Sequence, residues 1–192
     1  KSPRGDVVLS HVTFGYGERP VLSDLSFTVR AGEQVTLVGR TGAGKSTVFK
    51  LLLGLYKPEK GAVSIGGVDV SQITDAERRA CIGCVEQHFA RVPGTVLDQI
   101  TLGDPRITRD MAKRAAALAG LDASICTFPV GYDTPCTDGM FSQGEWQLLS
   151  IARAAAADPA ILLLDEITAN LDADTETRVL EALRRASAGR TV

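Results

Sequence analysis

A glycine-rich segment in the first quarter of the chain has the residue types and spacing of a phosphate-binding loop. It reads Gly39-Arg40-Thr41-Gly42-Ala43-Gly44-Lys45-Ser46-Thr47, which fits the pattern GxxxxGK followed by Ser or Thr. Glycines let backbone N–H groups converge on phosphate oxygens, and the helix that follows adds the partial positive charge of its first turn. We expect Lys45 to reach the β and γ phosphates and Ser46 to ligate Mg²⁺.

The elements around this segment favour a phosphate-binding loop over an ordinary glycine-rich turn. Residues 34–38 are predicted to form a strand, and residues 46–53 a helix that ends at Gly54. A strand, a glycine loop and a helix in this order are the context in which the motif binds phosphate.

Two acidic residues, Asp165 and Glu166, follow a continuous apolar run, Ile161–Leu164. Such a run is typical of a parallel strand that is buried on both faces. Taken alone, the two carboxylates would be solvated charges at a strand end, but a phosphate loop upstream requires a partner for Mg²⁺. We therefore expect Asp165 to hold Mg²⁺ and Glu166 to orient the water that attacks the γ phosphate.

The rest of the chain alternates predicted strands with predicted helices. Leu25, Phe27 and Val29 alternate with polar residues, which is the period of a half-buried antiparallel strand. The predicted strands span residues 7–14, 22–30, 61–70 (a hairpin) and 82–85, and the predicted helices span residues 73–80, 112–119, 143–157 and 172–187. This order predicts an α/β fold: a P-loop NTPase core with a mainly parallel sheet, an antiparallel β subdomain and an α-helical subdomain.

Composition narrows the classes of partner. The chain has 192 residues, of which 44% are hydrophobic and 23% charged, and its net charge is −2. A net charge this small gives no broad attraction to nucleic acid or anionic lipid, and no apolar stretch approaches the roughly 18 to 20 residues that a membrane helix needs. The four cysteines are too few for a disulfide framework and fit a reducing setting. Cys81 and Cys84 form half of a zinc-site pattern, but no second close pair completes it.

A motif before the predicted helix 143–157 indicates which kind of nucleotide-binding protein this is. Phe141-Ser142-Gln143-Gly144-Glu145, with the helical sequence that follows it, resembles the signature of the ABC ATPase family, usually written LSGGQ. Asp158-Pro159 precedes the acidic strand as in that family, and Ala169-Asn170-Leu171-Asp172 resembles its D-loop. The resemblance therefore covers the whole chain and points to the nucleotide-binding domain of an ABC transporter.

The resemblance implies a head-to-tail dimer of two cassettes. The signature residues Ser142, Gln143, Gly144 and Glu145 would face the ATP that is bound to the phosphate loop of the second cassette, with Ser142 and Gly144 contacting its γ phosphate. A hydroxyl group and a glycine at a helix N-terminus can form an anion site, which agrees with this role. The alternative for Ser142 is a plain helix cap. Asp172 would take part in communication between the cassettes.

Two more site residues follow from their positions in the family pattern. Tyr16 resembles the aromatic residue that stacks on adenine, although a tyrosine in a turn is the alternative. Gln87 resembles the Q-loop glutamine, which senses Mg²⁺ and the attacking water. The implied ligands are ATP and Mg²⁺. The metal would be held by Ser46, Gln87 and Asp165, and catalysis would involve Lys45, Gln87 and Glu166. The nucleotide would be surrounded by Tyr16, residues 39–47, Gln87 and Asp165.

The resemblance also implies domains and partners. Residues 1–88 and 158–192 would form the ATP-binding lobe, and residues 89–157 the helical signature lobe. Residues 91–100 and 131–135 resemble loops of exporter-type cassettes, so we expect an ATPase that powers transport at the cytoplasmic face of the cell membrane. Transmembrane domains, fused in the parent chain, would be its partners, and no nucleic acid is expected. A soluble ABC ATPase acting on nucleic acid or ribosomes, and a regulatory module that does not hydrolyse ATP, are the alternatives.

The chain departs from the family pattern in several places. Glu86 stands where proline is common, and Phe141, Gln143 and Glu145 change the signature, with Glu145 placing a carboxylate near the expected phosphate. These departures suggest that the native dimer is a heterodimer whose two ATP sites are unequal. The sequence stops before the strand on which the family carries a switch histidine, and His88 is not expected to replace it. We therefore expect a fragment of a longer protein that turns over little ATP by itself.

Overall fold

A computed structural model of the chain describes residues 5–38, 44–86, 88–165 and 171–192. Four predicted parts of the site lie outside the described residues: the first five residues of the glycine loop (Gly39, Arg40, Thr41, Gly42 and Ala43), Gln87, Glu166, and Ala169 with Asn170 of the segment that resembles the D-loop. The chain divides into two compact units, one formed by Lys1–Ile82 with Gly189–Val192 and the other by Gly83–Ala188. The predicted lobe boundaries at residues 88, 89, 157 and 158 stay a prediction.

The first unit contains an antiparallel sheet whose strands follow the spatial order β2-β1-β3-β4. The strands are β1 (Val7–Tyr16), β2 (Arg19–Val29), β3 (Lys60–Ile65) and β4 (Val68–Asp69). Gly66 and Gly67 form the turn between β3 and β4, and both have positive φ angles of 57° and 81°, which glycine adopts without strain. The predicted antiparallel β subdomain is therefore confirmed.

Two helices of the first unit accompany this sheet. α1 (Lys45–Leu52) buries Val48, Leu51 and Leu52, and Gly54 follows it with a φ of 70°. This is the predicted helix after the glycine loop, and it ends where the glycine predicts. α2 (Asp75–Cys81) begins at Thr74, whose side chain and that of Glu77 satisfy each other's backbone N–H groups in a capping box.

The predicted strand at residues 34–38 is wrong. Val35 donates its N–H to the C=O of Val192 over 2.9 Å, and Val192 donates to the C=O of Glu33 over 3.0 Å. Two hydrogen bonds make a single bridge rather than a ladder, and the side chains of Val35 and Val38 are 41% and 87% exposed. An apolar run predicts a strand only where neighbouring strands and helices cover it, and the described residues supply no such cover here.

The second unit combines a small sheet with helices. Strands β5 (Ile82–Val85) and β6 (Ile161–Leu164) pair with each other. Ile161, Leu162 and Leu163 of β6 are buried as predicted, and Leu164 is half-buried. The helices are α3 (Val96–Thr101), α4 (Arg109–Ala119), α5 (Asp122–Cys126), α6 (Gln143–Ala155) and α7 (Ala173–Ser187). Strands and helices together confirm the predicted α/β class.

Helix α6 lies at the centre of the helical packing and contacts α3, α4 and α7. It buries Leu148, Leu149 and Ile151, and the face that α4 buries consists of alanines, which allow helix backbones to approach closely. The first turn of α6 carries the predicted signature residues. These residues are therefore attached to the most firmly packed helix of the unit.

Candidate functional site

The N-terminus of α1 has the features that a phosphate group needs. Gly44 occupies the N-cap position, and its C=O accepts the first hydrogen bond of the helix, from the N–H of Val48, over 2.9 Å. No described side chain caps the helix, and the partial positive charge of a helix N-terminus favours an anion. A Cβ at residue 44 would collide with the side chain of Leu22 on β2, so the packing here favours glycine.

The first turn of α1 also brings the base-stacking candidate close to the loop. Ser46 is exposed and Thr47 is buried. The hydroxyl oxygen of Tyr16 lies 3.4 Å from Oγ1 of Thr47. Tyr16 is at the end of β1 and is 43% exposed, so part of its ring is open to solvent. An aromatic ring and a helix N-terminus thus lie side by side, as an adenine and its phosphates would require.

Three side chains lie next to the Tyr16 ring, and sequence reasoning missed two of them, Tyr56 and Lys50. The ring of Tyr56 stands edge-on to that of Tyr16 at 5.6 Å between centroids, and Phe14 stands edge-on at 5.1 Å. The ammonium group of Lys50 lies 5.8 Å from the Tyr16 centroid and 5.9 Å from that of Tyr56. Lys50 lies one turn beyond the motif and Tyr56 follows the end of α1, so only the fold brings them to the base-stacking tyrosine.

Asp165 is the first residue after β6, as predicted, and its side chain is exposed. Its backbone N–H donates to the C=O of Val85 over 3.1 Å, which fixes its position at the end of β5. Burial, and then the negative charges of Glu86 and Asp165, raise the pKa of Cys84 to about 11. The ends of these two strands therefore have a negative potential. Carboxylate oxygens in such a place are the donors that Mg²⁺ prefers.

The signature residues form a helix cap. Ser142 is the N-cap of α6: its Oγ accepts the N–H of Glu145 over 3.2 Å, and its own N–H donates to Oε1 of Glu145 over 3.1 Å. Glu145 is therefore the acidic partner in a capping box, which gives this departure from the family pattern a structural reason. Because the Ser142 oxygen accepts that bond, its hydroxyl hydrogen is left to donate to another acceptor.

Phe141, another departure in the signature, is buried in an aromatic cluster. Its ring lies 4.9 Å from that of Trp146 and 5.5 Å from that of Phe128, in edge-on arrangements. Aromatic pairs of this geometry contribute about 0.5 to 1.5 kcal/mol beyond the area they bury. The large ring at this position thus anchors the start of α6.

Gly144 connects the signature to the predicted D-loop residue. It is buried against Thr175 of α7, and a Cβ at residue 144 would collide with Cγ2 of that side chain. Thr175 donates its N–H and its hydroxyl to the carboxylate of Asp172, over 2.9 and 2.8 Å. These bonds, the backbone bond first, lower the pKa of Asp172. Thr175 had no signal in the sequence beyond its place three residues after a helix cap.

The two exporter-like loops pair with each other. Val96 donates its N–H to the C=O of Thr134, and Cys136 donates to the C=O of Gly94, each over 2.9 Å. Arg91 adds an ion pair with Asp138, with Nε and Oδ1 2.6 Å apart. Residues that are about 40 positions apart in sequence thus form one surface.

The part of the chain that the structure describes contains neither a cluster of metal-binding side chains nor a membrane-spanning helix. No group of three or more histidine, cysteine or acidic residues is arranged to hold a metal ion there. None of the described helices is long and apolar enough to cross a bilayer.

A glycine-capped helix beside an exposed tyrosine, an acidic strand end and a serine-capped signature helix define an ATP-binding cassette of the P-loop type. The profile of a protein family described as "ABC transporter" matches residues 22–169, so this chain belongs to the ABC transporter family. Domains of this family bind ATP, typically with Mg²⁺, and hydrolyse it.

Two relatives are ATP-binding/permease proteins, one named for export and the other for import. The β-(1→2)glucan export ATP-binding/permease protein NdvA of Rhodopseudomonas palustris is 42% identical over 191 residues, which are 98% of this chain and 32% of that protein. The mycobactin import ATP-binding/permease protein IrtB of Mycolicibacterium smegmatis is 40% identical over 174 residues, which are 90% of this chain and 30% of that protein.

A solved structure gives the same result for the fold. A bacterial Atm1-family ABC exporter with ATP bound matches with a TM-score of 0.85 and 38% identity, over 98% of this chain and 33% of that chain. The chain spans about a third of the length of the relatives it matches. The predicted exporter-type cassette and its fold are confirmed.

Proposed function

We propose that this chain is the ATP-hydrolysing motor of a membrane transporter of the exporter type. The observation that carries the proposal is the N-terminus of α1, capped by Gly44, next to Tyr16, in a family whose members couple ATP to transport. The relatives named above combine an ATP-binding and a permease part in one chain, which supports fused transmembrane domains as partners. The cassette would then lie at the cytoplasmic face of the membrane.

One set of predicted residues would bind the nucleotide and its metal ion. Tyr16 would stack on adenine, and the backbone of the glycine loop with Lys45 would hold the phosphates. Mg²⁺, held by Ser46, Gln87 and Asp165, would neutralise charge on the β and γ phosphates. The residues of the loop would be Gly39, Arg40, Thr41, Gly42, Ala43, Gly44, Lys45, Ser46 and Thr47.

The second-unit residues would act on hydrolysis. Glu166 would orient the attacking water and accept its proton, with Gln87 aligning that water. Ser142 and Gly144, flanked by Gln143 and Glu145, would contact the γ phosphate held by a second cassette, because the Ser142 hydroxyl has a hydrogen left to donate. Asp172, at the cap of α7, would carry the state of one site to the other through Thr175 and Gly144.

The role of Glu166 is tested in the full-length protein by measuring ATP turnover and MgATP affinity for Glu166→Gln. A lost general base costs about 10²- to 10⁴-fold in rate, so turnover should fall at least a hundredfold while binding stays. Glu181→Gln makes the same chemical change on an exposed turn of α7 and should leave both quantities unchanged. Equal turnover in Glu166→Gln and the unaltered protein would remove Glu166 from the mechanism.

The transport role is tested separately, by washing membranes at alkaline pH and following the full-length protein. Retention in the pellet, as a chain about three times as long as this one, would support fused transmembrane domains. Release into the supernatant would contradict transport and would favour a soluble ABC ATPase.

A further inference from the structure

The ring of Phe89, two residues after Gln87, is held by two side chains of α6. It stacks on Trp146 with 5.3 Å between centroids and 29° between planes, and the guanidinium carbon of Arg153 lies 3.9 Å from its centroid. Trp146 and Arg153 are seven residues apart, so they project from the same side of the helix about 10.5 Å apart along its axis. The Phe89 ring fits in the space between them.

The same helix also binds the backbone on both sides of Gln87. Gln147, which is buried, donates its side-chain amide to the C=O of Glu86 over 3.3 Å. Arg153 donates to the C=O of Ala90 over 3.0 Å. The backbone or side chains of Glu86, Phe89 and Ala90, which lie on both sides of Gln87, are therefore held by three side chains of α6, those of Trp146, Gln147 and Arg153.

Arg153 is committed to this arrangement at an electrostatic cost. Its Nε donates to the C=O of Gln99 over 2.6 Å, and burial is the main cause that lowers its pKa. Its Nη2 is buried and has no hydrogen-bond partner in the described part of the chain. A partly buried guanidinium group with an unsatisfied nitrogen is more than simple packing requires, because an apolar side chain would fill this space without that cost.

We propose that Phe89 is a positioning residue that couples the signature helix to the loop of Gln87, so that these two parts of the ATPase move together. Ser142, at the start of α6, would contact the nucleotide of the partner cassette. The residues on both sides of Gln87 contact the side of α6, and Gln87 itself would contact the nucleotide of its own cassette. A change at either nucleotide is thereby transmitted to the other through α6. This inference rests on the proposed ATPase function.

The alternative is that Phe89 only fills space. Substitutions that keep or remove the aromatic ring distinguish a positioning role from space filling. Phe89→Leu keeps an apolar side chain but loses the aromatic stack and the cation–π contact, whereas Phe89→Tyr keeps both. Phe27→Leu is the matched control, because Phe27 is also half-buried but lies on β2 in the first unit, paired with Leu9.

The coupling is tested first without nucleotide, by hydrogen exchange of the backbone amides. Phe89→Leu should speed exchange in residues 88–92 and also in residues 142–148, and leave α5 unchanged. Phe89→Tyr and Phe27→Leu should leave both segments as they are. Faster exchange in residues 88–92 alone would overturn the proposal, whether or not the protein binds ATP.

The second test follows Trp146, the only tryptophan of the chain. MgATP affinity is measured by calorimetry, and Trp146 emission is recorded over the same concentrations. We expect Phe89→Leu to keep the affinity within about twofold but to lose the emission change, and Phe89→Tyr to keep it. An unaltered emission change in Phe89→Leu would refute the coupling, whereas absence of MgATP binding by the unaltered chain would refute the proposed function instead.

The third test measures turnover in the full-length protein. A misplaced catalytic group costs rate rather than binding, so Phe89→Leu should lower kcat about tenfold or more with KM within about twofold. Phe89→Tyr should keep kcat at the value of the unaltered protein. A fall in kcat that Phe27→Leu reproduces would show a general loss of folded protein and would overturn the positioning role.

Discussion

Gly144→Ala should destabilise the native protein but stabilise a variant in which Thr175, the residue packed against Gly144, is replaced by serine. In the native protein the new Cβ collides with Cγ2 of Thr175. Thr175 cannot rotate away without breaking the bond of its hydroxyl to Asp172, which is 2.8 Å long. Forced overpacking of this kind costs about 1 to 3 kcal/mol.

The opposing contribution is helix propensity. Alanine is more favourable than glycine by up to about 1 kcal/mol inside a helix, and by less near the N-terminus where residue 144 lies. The collision is therefore the larger effect, and Gly144→Ala should lower stability by about 1 to 2 kcal/mol. In a chain of this size that corresponds to a thermal midpoint about 2 to 8 °C lower.

Thr175→Ser removes only the colliding methyl group and keeps the hydroxyl that binds Asp172. The nearest atoms to the added Cβ would then be Cβ and Oγ1 of residue 175, at 3.4 and 3.6 Å, which are ordinary contacts. In the Thr175→Ser background, Gly144→Ala should therefore raise the thermal midpoint, since only the propensity gain remains.

Thermal unfolding of the four proteins in this cycle measures the effect. Gly139→Ala is the control, because a Cβ at residue 139 meets no atom within 4 Å and the change should be nearly neutral. Stabilisation by Gly144→Ala in the native background, or the same loss in both backgrounds, would refute the collision as the cause.

Three further predictions concern the nucleotide site, a cap and the cysteines. Tyr56→Ala should weaken MgATP binding about two- to tenfold in a calorimetric titration, because the ring pair with Tyr16 is lost, and Tyr56→Phe should not. Asp172→Ala should lower the thermal midpoint at neutral pH. Because folding lowers the pKa of Asp172, the carboxylate stabilises the folded state at pH values above its unfolded-state pKa. The difference in thermal midpoint between the two proteins should therefore vanish as the pH falls through the folded-state pKa. At pH 8 iodoacetamide should label exposed Cys126 well before Cys84, whose pKa of about 11 leaves roughly one thiolate in a thousand, as peptide mass spectrometry would show.

Local patterns in the sequence predicted the elements whose stability is itself local. The helix after the glycine loop and the strand before Asp165 depend on apolar runs and glycine within a few positions. The cap at Ser142, which was the alternative to a phosphate contact, depends in the same way on a capping residue. The strand at residues 34–38 could not be judged in this way, because its formation depends on neighbours that are far away in sequence.

The candidate site divides along the same line. Residues that belong to contiguous motifs, such as Lys45 and Ser142, could be named from spacing alone. Tyr56, Thr175 and Arg153 could not, because each acts through a contact with a residue at least 31 positions away or through a position on a helix face that only the packing selects. The acid in place of glutamine at residue 145 is understood only once its bond to the Ser142 N–H is seen.

The pairing of residues 94–96 with 134–136 limits how this surface could change during evolution or design. Because the two segments share backbone hydrogen bonds and the Arg91–Asp138 ion pair, replacing one loop by that of a relative would leave polar groups of the other without partners. Chimeras that exchange both segments together should fold, and those that exchange one should not fold as well. The two loops are in this sense inherited as a pair, and a change in one loop selects for a matching change in the other.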